Sequence, residues 1–181
     1  QIEQYGEPFW TRRWQLSGLS VCAEHSMQLI NSPILISSAH RHQFIALSPH
    51  VLLHSNPNQT HHKITLLTEY VQQLLNIPEE YIHPLQWGYF YHHLAYQLGF
   101  VKGKQVEHDL IAQLVLGYWG GHALESFGLN INKVEDSNWL KCLFRKHRKS
   151  FSYLQHLLVW QACYEQQLNI ANILSTASSL P

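Results

Sequence analysis

The sequence is poor in cysteine, in charge and in catalytic signatures. Its three cysteines, at positions 22, 142 and 163, are too few and too scattered for a disulfide framework. Cys142 and Cys163 fall in apolar helical patterns, where a reduced, buried thiol is expected. No run of eighteen apolar residues occurs, and the start carries neither a basic leader nor a small-residue cleavage site, so a membrane span or secretion is not expected. A cytoplasmic protein is the expectation. The lone methionine is Met27, and a chain opening on ordinary domain sequence at Gln1 reads as an excised piece. Twelve basic and twelve acidic residues cancel, so any polyanion partner has to be argued from where the cations lie. Catalytic signatures are missing too. There is no Gly-rich phosphate loop, nucleophile elbow or H-E-x-x-H, which leaves a histidine-built zinc hydrolase without a motif. His108-Asp109 resembles a dyad on paper, but an acid at the head of a helix complements the helix dipole. No enzyme is expected.

What is present is a core. Hydrophobic residues make up 45% of 181, enough for one large domain or a small one plus a larger one. Up to about position 56 the pattern is irregular, with aromatics at Tyr5, Phe9, Trp10 and Trp14, a turn at Ser17-Gly18 and short apolar runs near 28–30, 33–36 and 41–47. Short strands and loops around a thin centre are expected there, as in zinc-stapled modules. Asn56-Pro57-Asn58 breaks the chain, and residues 57–181 read as helical.

Thr60 is placed to cap a helix with Ile64, Leu67, Val71, Leu74 and Leu75 on one face. Pro84 opens another, with Trp87, Phe90, Tyr91, Leu94 and Leu98 facing in and Gly99 past its end. A third is expected from about Val106 to Trp119, stopped by Gly120-Gly121, and a fourth over His122 to Phe127. Asp136 or Ser137 would cap a fifth, in which Trp139, Leu140, Leu143, Phe144 and His147 share one face and Lys141, Arg145, Arg148 and Lys149 the opposite one. Ser152 and Gln155 form a capping box for a last long helix, Tyr153 to about Leu174, apolar nearly all round in its middle. Residues 175–181 read as a fraying end.

Two clusters carry the candidate chemistry. Cys22 and His25, in V-C-A-E-H, have the two-residue gap by which a tight turn offers two ligands to zinc, whereas a structural site needs four. The missing pair could come from a Cys-x-x-Cys ahead of Gln1, or from histidine pairs such as His40 and His42, His50 and His54, His61 and His62, or His92 and His93; equally, Cys22 could be a small buried thiol. The second cluster is K-C-L-F-R-K-H-R-K, which holds five of the twelve cations: Lys141, Arg145, Lys146, Arg148 and Lys149. A cationic face is often only solvated, but here the opposite face is apolar enough to pin the helix and present the cations as an array for phosphates. Lys102 and Lys104, flanking Gly103 in a turn between helices, are candidates for the same surface.

The string F-R-K-H-R-K-S-F-S-Y-L-Q-H-L-L-V-W-Q-A at 144–162, preceded by N-W-L-K, strongly resembles the TnsD branch of the TnsD/TniQ family, the target-selecting proteins of TnsABC-type transposons. Q-Y-G-E-P-F-W-T-R-R-W-Q-L at 4–16, then V-C-A-E-H and R-H-Q-F at 41–44, resemble the same family's zinc-finger module in the same order. The likeness covers nearly the whole chain.

The resemblance implies a zinc site of three cysteines and one histidine, with Cys22 and His25 as two ligands and the rest upstream of Gln1. Zn2+ is then expected in the full-length protein, and an incomplete site in this piece. It also implies a mainly α fold, a helical bundle with helix-turn-helix-like elements, preceded by a small irregular zinc-finger-like module. By resemblance the function is DNA binding at a specific attachment site in transposition, with recruitment of the TnsC ATPase and through it the transposase, in the bacterial nucleoid. The alternative is an adaptor that docks TnsC, or an RNA-guided complex, with little DNA binding of its own.

Overall fold

The structure is a computed structural model that describes residues 10–25, 27–29, 62–78, 81–132, 138–145, 147 and 150–181. The described residues are mainly helical, with seven α-helices and four two-residue strands. The chain divides into two compact units, residues 1–69 and 70–181. The expected boundary at 56/57, and with it Thr60, lies outside the described residues.

In the first unit a 3-10 turn, Arg12–Gln15, leads through Gly18 (φ 85°) into strand β1, Val21–Cys22. This pairs antiparallel with β2, Met27–Gln28, with Val21 opposite Gln28 and Cys22 opposite Met27. The Leu29 amide donates to the Ser20 carbonyl at 2.7 Å and extends the ladder. Val21 and Cys22 are buried while Met27 is exposed, so the hairpin has one packed strand and one open one. Among the described residues the expected zinc-finger-like module goes no further than this hairpin and turn. Helix α1, His62–Asn76, begins in this unit and crosses the division between Glu69 and Tyr70. Its Leu67, Tyr70 and Val71 are buried, as the 3-4 spacing requires, but Leu75 is exposed.

The second unit is a helical bundle. Helix α2, Pro84–Gln97, starts on the pre-set φ of its proline, and its cap is His83, whose Nδ1 accepts the Leu85 amide while Gln86 Oε1 accepts the His83 amide. Gly99 (φ 73°) turns the chain into a hairpin of β3, Val101–Lys102, and β4, Gln105–Val106, with Gly103 (φ 63°) at its tip. The third expected helix therefore starts later than expected: α3 is His108–Trp119, and Val106 belongs to β4. Gly120 (φ 77°) separates it from α4, Gly121–Ser126.

Three expectations are corrected beyond this point. The amphipathic helix carrying the cations is short: α5 is Trp139–Leu143, capped by the Asn138 side chain accepting the Lys141 amide at 2.9 Å. It stops because the His147 imidazole, through Nε2, takes the Leu143 carbonyl at 2.7 Å, in the place a fourth-residue amide would occupy in a continuing helix. Lys141 alone of the cations is on that helix. The long final helix is two helices, α6, Tyr153–Tyr164, and α7, Ile170–Ser179. Glu165 breaks them apart at φ 50°, with its carbonyl held by the Tyr70 hydroxyl at 3.3 Å, and Asn169 re-caps the chain by accepting the Asn172 amide. Finally, 175–181 is docked and not frayed. Ala177 is buried, and Gln86 Nε2 donates to the Ser178 and Leu180 carbonyls at 2.8 and 2.9 Å.

Helix α6 is the centre, packed on α3, while α2 packs on α7. The expected all-round burial of α6 holds, since Leu154, His156, Leu157, Leu158, Val159, Trp160, Gln161 and Ala162 are all buried. Trp119 Nε1 donates to the Leu158 carbonyl at 2.8 Å, pinning α3 to the middle of α6. Cys163, at the end of this helix, is a free, half-buried thiol, as is Cys142, where buried ones were expected; burial of its sulfur pushes the Cys163 thiol up to about 12.

Candidate nucleic-acid interface

The cationic segment is fastened to the bundle by aromatic contacts. Leu140, Leu143 and Phe144 are buried, and the Phe144 ring meets Tyr91 edge-on at 5.0 Å. His147 stacks on Tyr91 at 5.6 Å and lies 4.8 Å from Phe151. Trp139 Nε1 donates to the Leu129 carbonyl, and Asn138 Nδ2 to that of Asn132, both at 3.0 Å. So the apolar face assigned from the sequence is the one that packs, although two of its five residues, Phe144 and His147, lie past the helix end.

Lys141 is half-buried on α5 and Arg145 is exposed just beyond it. Lys146, Arg148 and Lys149 lie outside the described residues. Lys102 and Lys104 are exposed on the β3–β4 hairpin, which runs directly into α3. The structure brings one group into this set that motif reasoning had put aside. His108, first residue of α3, has its pKa lowered by burial, then by the cations Arg145 and Lys141, with Asp109 acting in the opposite direction. Lys141 and Arg145 thus act electrostatically on the first residue of α3. Only the acid in the next position signalled it, and that was read as a dipole partner; Asp109 does sit in the first turn. The helix has no side-chain cap, and its Leu110 and Ile111 amides donate to the Glu107 carbonyl at 3.1 and 3.4 Å.

In the first unit Cys22 Sγ and His25 Nδ1 are 3.4 Å apart at the turn of the β1–β2 hairpin. Zinc–sulfur and zinc–nitrogen bonds of about 2.3 and 2.0 Å at a tetrahedral angle set an S···N edge of roughly 3.5 Å, so this pair fits two corners of such a site. Glu24, which the spacing argument had passed over, adds a third donor within 4.8 Å of both. It is held by Arg13 at 2.9 Å, a solvent-screened ion pair contributing less than about 1 kcal/mol. The histidine pairs at 40 and 42 and at 50 and 54, with His61, lie outside the described residues; His62, His92 and His93 are exposed on helices and join no metal-ligating cluster among the described residues.

In one unit the chain thus has a Cys–His hairpin, and in the other a helical bundle with cations on a segment anchored by aromatic packing. Comparison with known proteins makes the class specific. The family profile for TnsD, Tn7-like transposition protein D, matches residues 67–171, and the chain belongs to that family. It is 40% identical over 183 residues to the transposon Tn7 transposition protein TnsD of Escherichia coli, an alignment covering 99% of this chain and 35% of that protein. The chain spans about a third of its relative's length.

Proposed function

We propose that this chain is part of a target-site selector in Tn7-like transposition, binding duplex DNA at a specific attachment site and recruiting the TnsC ATPase. Lys141 and Arg145, with Lys102 and Lys104 on the hairpin, hold phosphates, and Lys146, Arg148 and Lys149 extend the same run. The observation that carries this is the packing of Leu140, Leu143 and Phe144, with the Phe144 ring edge-on to Tyr91 at 5.0 Å, which holds Lys141 and Arg145 on an anchored segment. Cations fixed on a packed segment release counterions from DNA without first having to be ordered. Helices α3 and α4, joined through Gly120, are then the helix-turn-helix-like elements. No residue is assigned a catalytic role.

Zinc belongs to the same proposal. Cys22 and His25 would hold Zn2+ with further ligands from elsewhere in the full-length protein, and the ion would stabilise the hairpin without taking part in chemistry. Glu24, engaged by Arg13, stays out of the set.

The experiment compares affinity for a duplex carrying the attachment site with that for a scrambled duplex of equal length, at one fixed salt concentration. A selector is expected to prefer its site by about a thousandfold or more. Equal affinities would contradict target selection by this chain.

A further inference from the structure

Within the cationic run the described residues divide between solvent and bundle. Arg145 is exposed, while His147, two residues on, is half-buried. Its ring lies nearly flat on Tyr91, 5.6 Å away at an interplanar angle of 18°, and 4.8 Å from Phe151. Phe144 meets the same Tyr91 ring edge-on at 5.0 Å. That ring is itself fixed, because its hydroxyl and His156 Nδ1 lie 2.6 Å apart in the buried centre of the unit. Phe144 and His147 thus clamp one buried tyrosine, and Arg145 belongs to the short link between them. With about 3.8 Å between successive Cα atoms, a link of three peptides held at both ends leaves Arg145 little backbone freedom.

The same imidazole decides how α5 ends. No glycine or proline occurs from 139 to 151, so the backbone sequence holds no stop signal there. In a continuing helix the amide of residue 147 would take the Leu143 carbonyl, and that of Arg145 the Lys141 carbonyl. Instead the His147 ring takes the Leu143 carbonyl at 2.7 Å, and the Arg145 amide donates to the Cys142 carbonyl at 3.3 Å. A carbonyl only accepts, so Nε2 carries the hydrogen in this bond. Burial lowers the pKa of the ring, with the bond to Leu143 acting in the opposite direction, and the imidazole is neutral at pH 7.

We infer that His147 is a positioning residue for phosphate binding: by donating to the Leu143 carbonyl and stacking on Tyr91, it holds Arg145 on the exposed turn that follows α5. This rests on the role in holding phosphates proposed above for Arg145. His147 itself faces the bundle and acts through its neighbour. A cation on a backbone that is already ordered gives up little freedom when a duplex arrives, so losing the imidazole is felt as losing the Arg145 contact.

The test measures, for the full chain, affinity for the attachment-site duplex and its dependence on salt. His147→Phe keeps a ring against Tyr91 but has no hydrogen to give Leu143. It should bind at least fivefold more weakly, with a slope of log affinity against log salt shallower by about one unit. His147→Gln donates again through its side-chain amide and should recover most of that affinity. In an Arg145→Ala background, His147→Phe should change affinity less than twofold, because the contact it positions is already gone. Nitrogen NMR of the parent should show the His147 ring protonated at Nε2, which requires no variant to fold. Parent-like binding by His147→Phe, a His147→Gln chain no better than His147→Phe, an undiminished effect in the Arg145→Ala background, or a ring protonated at Nδ1 alone each overturns the positioning role. Arg145→Ala with unchanged affinity and slope overturns the phosphate-holding role of Arg145 and this inference with it.

Discussion

The hydroxyl of Tyr91 and Nδ1 of His156 lie 2.6 Å apart in the buried centre of the second unit, joining α2 to α6. Both groups stay neutral there. Burial raises the tyrosine well above its ordinary value and pushes the histidine down to about 3, with His147 nearby adding to the fall. The same ring is 4.6 Å from Trp87 and 5.4 Å from Trp160, so it also belongs to the aromatic core.

Stability should therefore fall with acid. Below about pH 6.5 the unfolded chain protonates His156 while the folded chain, held down to about 3, does not. The unfolded state then binds more protons, and stability drops as pH falls, by about 1.4 kcal/mol per unit for this one group. Urea unfolding at pH 7 and pH 5 should show about 2 kcal/mol lost through His156. His156→Phe should remove that part of the pH dependence and cost about 1–3 kcal/mol at pH 7 by leaving the tyrosine hydroxyl unpaired. An unaltered pH slope in the variant would contradict this.

Much of this centre can be read from the sequence. The 3-4 spacing on α2, Pro84 at its start, Gly99 at its end and the Ser152–Gln155 capping box are local signals, and the structure has all four. His83 as a cap is not legible, because an imidazole is not an ordinary capping group. The break at Glu165 escapes as well: no glycine or proline marks it, and the apolar spacing runs on through Leu168, Ile170 and Ile173. Small polar residues hide the docking of 175–181, which depends on Gln86, a residue ninety positions away. In the candidate site the cations announce themselves by type, but the packing of Phe144 and His147 on Tyr91, which anchors them, is a tertiary fact.

Glu165 provides a test of the helix break. A non-glycine residue at φ 50° is strained, so Glu165→Gly should relieve roughly 1 kcal/mol. Thermal melting should rise by about 2–4 °C, as expected for a chain of this size. A fall in melting temperature would mean that the glutamate side chain contributes more than the strain costs.

Asn138 couples the cationic segment to the bundle. Its side chain caps α5 and donates to the Asn132 carbonyl, and it is buried. Asn138→Ala should destabilise by about 1–2 kcal/mol, and should speed amide exchange at Lys141, whose amide the side chain accepts. Unchanged exchange at Lys141 would show that the cap is dispensable.

If Lys141 and Arg145 hold phosphates, duplex binding should be sensitive to pH through His108. Burial, and after it the cations Arg145 and Lys141, lower its pKa in the free protein; phosphates neutralising those cations would raise it again, so binding would take up a proton. Affinity should then increase as pH falls from 7.5 to 6, and His108→Ala should flatten the increase. A titration of duplex binding against pH, in parent and variant, measures both.

The most direct measurement is the slope of log affinity against log salt for duplex binding by the parent and by the double variant Lys141→Ala, Arg145→Ala. If these side chains hold phosphates, the variant binds every duplex more weakly and its slope is shallower by about two units, one for each lost contact. An unchanged slope would place the cations elsewhere than on DNA and contradict the account.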